Sequence, residues 1–467
     1  METWINIWGN EKMKIFLVFL AINDWQNKNH NYGLWYISAV LKNVGHEVSY
    51  IYLNNNKQIK NFYNKISNER PRIIAFSVTT NQFSYLKPIV ENIKEISDSF
   101  VICGGAHVTL KPESILEIPQ LDGIARGEGE YPLLELARAL EKKRNYLKIK
   151  NFWFRHKNKI IKNKIRPLIE NLDELPFPDK TCLNYQKMID IRGGIAPFIF
   201  SRGCMFNCSY CANKALSDVY PNKHKYFRVI SPKRAIKEIK NDLEKYNFKL
   251  IAFEDDAVSL DKNWFYEFFN LYKKEIRLPF TCNARIDTID SQMLRLLKEA
   301  GIIKIKFGVE NGNEDFRKKI LNRHMSNKQI INTYQLCKMY KIETESYIMV
   351  GLPNETKKDF FDTVRLCRKI GGKFDLSIFH PYPGTELNRI CQKNKWMPNK
   401  KFFHERKEAV INYPNFSKEE IQICKDEFYG FIKYSKFISP QVLLLSFKTA
   451  RLLKNIIHSH KKNKNRR

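Results

Sequence analysis

Apolar residues fall along the chain in short continuous runs separated by amphipathic stretches, and that alternation predicts the architecture. Residues 15–22 form one uninterrupted apolar run, which reads as a buried strand. Residues 33–44 carry apolar side chains at helical spacing and stop at Gly45, a residue that ends helices because it enters left-handed backbone without strain. Strand patterns return at 47–53, 72–78 and 100–103, with helical patterns at 83–96 and 131–140. Strands alternating with helices predict a parallel, doubly wound, Rossmann-like α/β sheet over residues 13–143. Ligands of such sheets lie beyond the carboxyl ends of the strands. Two of those ends carry Ser77-Val78-Thr79-Thr80 and Gly104-Gly105-Ala106-His107. Small hydroxyls there offer hydrogen bonds without filling the crevice, and paired glycines let a bulky ligand approach the backbone.

Residues 144–192 break the pattern and read as a connector. A hairpin is expected at 152–154 and 160–161, followed by Leu172-Asp173-Glu174-Leu175-Pro176-Phe177-Pro178-Asp179. Two prolines around one aromatic disfavour helix and predict an extended strap. From residue 193 to about 400 the alternation resumes, with apolar strands at 197–200, 250–253, 280–283, 304–307, 347–350 and 376–379. The later strands run into Glu254-Asp255-Asp256, Ala284-Arg285-Ile286-Asp287, Gly308-Val309-Glu310-Asn311-Gly312, Gly351-Leu352-Pro353 and His380-Pro381-Tyr382-Pro383-Gly384-Thr385. Six strands ending this way predict a partial (β/α)6 barrel of the TIM type, with its chemistry at the strand C-termini. Each loop taken singly is ordinary turn chemistry; the series is what sets them apart. Residues 401–467 form an aromatic, basic helical segment, expected to cap the barrel or shape access to it.

A length of 467 residues suits two or three domains, and 43% apolar with 13% aromatic residues is ample for packed cores. The formal charge of +31 raises the question of nucleic acid. Lysines are spread along solvated helical faces, however, and nucleic acid is not the expected partner. Charge gathers only at 451–467, where seven Lys or Arg and no acid follow the apolar residues 442–447. That is a solvated tail, or an amphipathic segment suited to transient contact with an anionic membrane surface. No apolar run reaches the roughly 18–20 residues that span a bilayer. Residues 1–12, ahead of Met13-Lys14, read as a dispensable leader or as a misassigned start. The ten cysteines lack disulfide-framework spacing and no signal-peptide pattern is present, which together favour a reducing cytoplasm.

Three of those cysteines stand apart. Cys204, Cys208 and Cys211 form a C-x3-C-x2-C loop directly after the strand at 197–200. Three thiolates on one short loop can hold a soft metal centre, one ligand short of the four in a closed zinc site or an ordinary iron–sulfur cluster. Spacing alone leaves two options, a cluster with one open iron or a structural zinc loop. The other cysteines are scattered and are expected to pack in cores.

The loop closely resembles the signature of radical S-adenosylmethionine (SAM) enzymes. That resemblance implies a 4Fe-4S cluster on Cys204, Cys208 and Cys211 whose open iron binds the amino and carboxylate groups of SAM, with reductive cleavage to a 5′-deoxyadenosyl radical. It further implies Tyr210 near the adenine, Glu254, Asp255 and Asp256 at the amino group, and Arg285 as a fork for the carboxylate. Glu310 would accept from the ribose, Arg323 stands where the subfamily keeps an arginine, and Tyr382 would face the substrate pocket. The first domain is similar to the cobalamin-binding domain of one large radical-SAM subfamily. The similar pieces are Gly33-Leu34, Gly45-His46-Glu47-Val48, Ser77 to Thr80, Gly104 to Glu113 and Gly127-Glu128-Gly129-Glu130. Ser77, Thr79, Thr80, Gly104 and Gly105 would line the cobalamin. The Asp-x-His-x-x-Gly motif that supplies a lower histidine to cobalt is absent, and His107 reads as a loop residue.

Membership of that subfamily implies methyl transfer to an unactivated carbon or phosphorus of an unknown substrate, with electrons from a donor such as flavodoxin or ferredoxin. Ring closure or rearrangement, with cobalamin retained or lost, is the alternative within the subfamily. A tRNA methylthiotransferase would carry further cluster cysteines in its first domain, where this chain has only Cys103. A zinc-stapled nucleic-acid-binding protein would leave the ordered strand-end motifs unexplained.

Overall fold

The computed structural model describes residues 12–22, 30–398 and 404–464, with side chains through residue 452 in the last helix. The leader up to residue 11, the boundary near residue 400 and the side chains of the tail beyond 452 lie outside the described residues. The chain forms two compact units, residues 1–205 with 212–249, and residues 206–211 with 250–467.

In the first unit seven strands form one sheet in the order Glu47–Leu53, Lys14–Leu20, Ile73–Ser77, Phe100–Gly104, Gly123–Ala125, Phe152–His156 and Lys159–Lys162. The first five are parallel, and the last two are the expected hairpin, which extends the sheet antiparallel. Winding reverses at Lys14–Leu20, so the crevice between it and Ile73–Ser77 is the switch point where such sheets hold ligands. Phe16, Leu17 and Val18 are fully buried, as continuous apolar runs are when helices cover both faces. The covering helices Tyr32–Lys42 and Asn56–Glu69 start where Asn31 and Asn55 accept hydrogen bonds from the backbone N–H of Leu34 and Gln58. The helix expected at 83–96 is two, Thr80–Phe83 and Leu86–Ile96.

The proline strap is extended apart from short 3-10 turns at Leu172–Glu174 and Lys180–Cys182, and it is pinned to the helix Pro232–Leu243. Arg234 lies over the Phe177 ring at 4.7 Å and donates to the Leu175 carbonyl. The Lys180 ammonium is buried between Glu238 and Asp242, 4.0 Å from the Phe198 ring centre. Burial is the first influence on Glu238, pushing its carboxyl up to about 7 despite the lysine.

The second unit holds five parallel strands in the order Lys373–Ile378, Glu343–Val350, Ile302–Glu310, Phe280–Ala284 and Leu250–Phe253. With Ile195–Phe198, which belongs to the first unit, the six strands expected after residue 193 are all present. The helices Lys262–Glu275, Ser291–Ala300, Asn327–Met339 and Lys357–Ile370 begin at the side-chain caps Asp261, Asp290, Ser326 and Thr356. Packing of Phe253, Phe268, Phe269, Tyr272 and Phe280 fills one end of this core. The C-terminal segment supplies the helices Lys418–Asp426, Phe428–Tyr434 and Pro440–Lys464. Among the described residues no helix is long and apolar enough to cross a membrane.

Candidate functional site

The short run 206–211 is held by the second unit. Ser209 donates from its backbone N–H to the Leu321 carbonyl (3.2 Å) and from its hydroxyl to the Ile320 carbonyl (2.5 Å), while Asn322 donates to the Asn207 carbonyl (2.8 Å). The Leu387 N–H donates to the Ser209 carbonyl at 3.2 Å. These bonds fix Cys208, which is buried, while Cys204 and Cys211 are partly exposed. None of the ten cysteines is in a disulfide; Cys103, Cys282, Cys337, Cys367, Cys391 and Cys424 are buried and Cys182 half-buried.

Two guanidinium groups face the Cys208 sulfur. Arg285 Nη1 lies 3.6 Å and Arg323 Nη1 3.8 Å from Sγ. Two cationic donors at one sulfur are the electrostatic setting in which a coordinating thiolate is stable. Arg285 is aimed there because Asp287 accepts from its Nε and Nη2 (2.9 and 2.6 Å) and its plane lies 3.5 Å from the Phe206 ring centre. Its fork is thus engaged by Asp287 in the structure. Arg323 also donates to the Tyr210 hydroxyl (3.2 Å) and to the Gly308 carbonyl.

Tyr210 in turn donates to Glu310 Oε1 at 3.0 Å, and Arg323 lies 3.9 Å from that oxygen. Burial pushes the Glu310 carboxyl up, with Arg323 and the Tyr210 hydrogen bond acting against it. Burial likewise pushes the Tyr210 phenol well up. Glu310 occupies left-handed backbone at φ 66°, at a register shift in the strand pairing. A Cβ on Gly308 would meet Glu310 Oε1 at 2.5 Å, so glycine there makes room for the carboxylate itself. A non-glycine residue in this backbone region stores strain of the kind that collects at functional sites.

The three carboxylates after Leu250–Phe253 do not share one environment. Asp255 is buried and accepts from the Asn283 amide through its carbonyl (2.8 Å), Glu254 is half-buried and Asp256 is exposed. Tyr382 donates its hydroxyl to buried Glu405 and receives Arg406 Nε at 3.3 Å, so the segment after residue 403 closes over this late loop. Neighbouring His380 is kept neutral, its imidazole pushed down to about 4 by burial and by Arg406. Among the described residues no three His, Cys, Asp or Glu side chains gather as they would around a single ion. A four-iron cluster gives each thiolate its own iron and so spaces its ligands more widely.

The first unit contains a separate cavity of about 380 Å³ at the strand C-termini. Of the five residues assigned to cobalamin, Ser77, Gly104 and Gly105 line it. Thr79 caps the helix Thr80–Phe83, and the Thr80 hydroxyl lies 3.3 Å from His107 Nδ1. His107 is buried, stacked on Phe83 at 4.3 Å, and held neutral by burial, its imidazole pushed down to about 4. The two glycines differ. Gly105, at φ +100°, would drive a Cβ to 2.5 Å from the Val78 carbonyl oxygen, so the protein's own packing demands glycine. A Cβ on Gly104 would meet nothing closer than 3.7 Å, so glycine there leaves open wall facing the cavity. That wall, with largely apolar surroundings such as Leu34, Ile37, Ile102 and Leu133, fits a broad, flat, neutral ligand such as a corrinoid.

Sequence reasoning missed the charged side of this cavity. Arg202, two residues before Cys204, pairs with Glu128 (2.9 Å) and Glu130 (2.6 Å), and Arg228 pairs with Glu128 (3.0 Å). Arg202 also lies 4.9 Å from the Tyr36 ring centre, and the Tyr220 hydroxyl accepts from the Glu128 N–H at 3.0 Å. Burial opposes the charge on Glu128, and Arg202 and Arg228 override it, holding the carboxyl low. The Gly127-Glu128-Gly129-Glu130 motif was the available signal, but nothing local named its arginine partners.

Comparison with known proteins completes the assignment. The profile of the radical SAM superfamily matches residues 198–367, and that of the B12 binding domain matches residues 20–137. Residues 198–367 therefore form a radical SAM domain and residues 20–137, ahead of it, a B12 binding domain, and the chain is an enzyme. It is 27% identical over 387 residues to an uncharacterised methyltransferase of Pyrococcus horikoshii, covering 80% of each chain. It is also 27% identical over 337 residues to the anaerobic magnesium-protoporphyrin IX monomethyl ester cyclase of Rubrivivax gelatinosus, covering 69% of this chain and 59% of that one. In fold it is similar to the cobalamin-dependent S-adenosylmethionine radical enzyme OxsB, solved with aqua-cobalamin and S-adenosylmethionine bound: the TM-score is 0.70 at 16% identity, over 94% of this chain and 71% of that one.

Proposed function

We propose that the chain is a cobalamin-dependent methyltransferase acting on an unactivated carbon or phosphorus of its substrate. The observation that carries this is the pairing, in one chain, of a B12-binding domain over residues 20–137 with a radical SAM domain over 198–367. Similarity to the Pyrococcus methyltransferase along four fifths of both chains supports methyl transfer as the outcome. When bound, the cluster, SAM and cobalamin supply the radical and the methyl group.

The chain's own residues would bind and orient. Cys204, Cys208 and Cys211 would hold the 4Fe-4S cluster, with Arg285 and Arg323 placing positive charge beside it. Tyr210 and Glu310 would meet the nucleoside of SAM, and Glu254, Asp255 and Asp256 its ammonium. Because buried Arg323 and Glu310 are joined through half-buried Tyr210 in one chain of hydrogen bonds, they preorganise that side of the site. Ser77, Gly104 and Gly105 would lie along the corrinoid, and Tyr382, held by Glu405 and Arg406, would border the substrate. Electrons would come from a flavodoxin or ferredoxin, in the cytoplasm.

Ring closure is the second reading, favoured by the likeness to the Rubrivivax cyclase, of which this chain spans less than two thirds. The products separate the two. Methyl loss from SAM leaves S-adenosylhomocysteine, whereas radical cleavage alone leaves 5′-deoxyadenosine and methionine. The reduced, reconstituted chain with methyl-labelled SAM is expected to form both S-adenosylhomocysteine and 5′-deoxyadenosine. Formation of 5′-deoxyadenosine alone would replace methyl transfer by cyclisation or rearrangement.

A further inference from the structure

The C-terminal helix Pro440–Lys464 has one face packed and one face bare. Leu443 and Leu444 are buried, and Phe447 meets Phe431 edge to face at 5.1 Å between ring centres, which settles its inner side. Val442, Leu445 and Leu452, spaced i, i+3 and i+10, are 51%, 64% and 58% exposed on the other side. Just ahead of the helix Phe437 is 86% exposed and Ile438 43%. Large apolar side chains this exposed and this close together mark an interaction surface.

Charge decides what covers it. From residue 428 to residue 467 the sequence has ten Lys or Arg and no Asp or Glu. Within the described part, Lys448 and Arg451 are partly neutralised by Glu420 (3.9 Å) and Asp426 (3.1 Å). Lys433 and Lys436 are exposed, the former 5.1 Å from the Tyr434 ring centre, and six further basic residues follow Arg451 in the sequence. A second copy of this chain would bring the same uncompensated positive charge to the contact and be repelled. Nucleic acid would satisfy the charge but leave Phe437 and Leu445 in water. An anionic lipid surface satisfies both, because acyl chains take the apolar side chains and headgroups take the lysines.

The geometry points to the segment 434–464 as a peripheral membrane anchor, lying in the headgroup region of an anionic bilayer without crossing it. Its basis is independent of the methyl-transfer chemistry. The test is flotation of the purified full-length chain with vesicles of neutral phosphatidylcholine, or of phosphatidylcholine containing about a third phosphatidylserine. Binding to the anionic vesicles is expected to exceed binding to the neutral ones about ten-fold, and to weaken with added salt as screening requires. The double substitution Phe437→Ser, Leu445→Ser is expected to lower vesicle binding about ten-fold while leaving the circular dichroism spectrum and melting temperature unchanged, since both side chains are exposed. Three results would each overturn the proposal: no preference for anionic vesicles, undiminished binding of the double variant, or a vesicle-independent dimer that the double variant abolishes. Displacement from vesicles by an equal charge concentration of duplex DNA would equally overturn it, in favour of nucleic acid.

Discussion

Each of the two units sets a pair of arginines against acids and tyrosines near strand ends, yet the pairs are built for different work. In the first unit Arg202 and Arg228 are saturated by Glu128 and Glu130, so the cavity wall they brace carries little net charge. In the second, Arg285 is paired with Asp287 and Arg323 lies beside Glu310, yet each keeps one nitrogen turned toward the sulfur of Cys208. A neutral, mostly apolar wall suits a large ligand held by shape. Guanidinium nitrogens aimed at a sulfur suit an anionic inorganic centre. Different designs thus follow from the same residue types, and the difference lies in whether an arginine keeps a nitrogen aimed beyond its acid partner.

The sharpest way to break the comparison is at the ligand. Cys208→Ala is expected to abolish visible cluster absorbance and lower 5′-deoxyadenosine formation by more than about a hundred-fold, the upper end for outer partners of a metal site. Next come the arginines. Arg202→Met strands the buried Glu130 carboxylate and leaves half-buried Glu128 with Arg228 alone, and is expected to cost about 3–5 kcal/mol in denaturant unfolding. Arg285→Met leaves only half-exposed Asp287 unpaired and is expected to cost about 1 kcal/mol, while moving the cluster's reduction potential downward in electrochemical titration because a nearby cation is gone. Equal stability losses would erase the distinction between the two corners.

The glycines sharpen it further. Gly105→Ala is expected to cost about 2–3 kcal/mol, from backbone strain and the clash with Val78. Gly104→Val is expected to hold the melting temperature within about 2 °C yet weaken hydroxocobalamin binding at least ten-fold by absorbance titration, because its side chain enters the cavity.

A pH effect lies away from both corners. Glu355 is buried and accepts from the Gly351 and Leu352 N–H groups and from Asn311, yet burial pushes its carboxyl up to about 8. A carboxyl raised in the folded state binds a proton that the unfolded chain has released, so its contribution is complete below the ordinary carboxylate range and is lost as pH rises toward about 8. Stability is therefore expected to fall by about 3 kcal/mol between about pH 5 and pH 8, and Glu355→Gln to flatten that slope in urea titrations.

Much of this was legible in the sequence where the physics is local. The parallel strands of the first sheet announced themselves as unbroken apolar runs because both faces are covered. Leu250–Phe253 and Phe280–Ala284 were found nearly whole, Ile302–Glu310 only at its middle, and Glu343–Val350 and Lys373–Ile378 only at their C-terminal halves. Ile302–Glu310, Glu343–Val350 and Lys373–Ile378 begin with Lys304, Glu343, Glu345 and Lys373 among apolar residues, so their first turns of chain look like loop. Gly123–Ala125 is too short to carry a pattern at all. The three-cysteine loop and the positions of Tyr210, Arg285, Glu310 and Arg323 were visible as motifs. Their mutual contacts, which span up to 115 residues between Cys208 and Arg323, were not, because no periodicity encodes a long-range pairing. The same limit hid Arg202 and Arg228.

One corner of arginines aimed at the cysteine loop and one neutral cavity would serve two cofactors in a single chain. Anaerobic reconstitution with iron, sulfide and hydroxocobalamin tests it directly, followed by metal and corrinoid quantitation and by electron paramagnetic resonance of the reduced protein with and without SAM. The predicted result is about four irons and one corrinoid per chain, with a cluster signal that changes when SAM is added. A colourless protein holding zinc, or a cluster signal indifferent to SAM with no corrinoid retained, would contradict it.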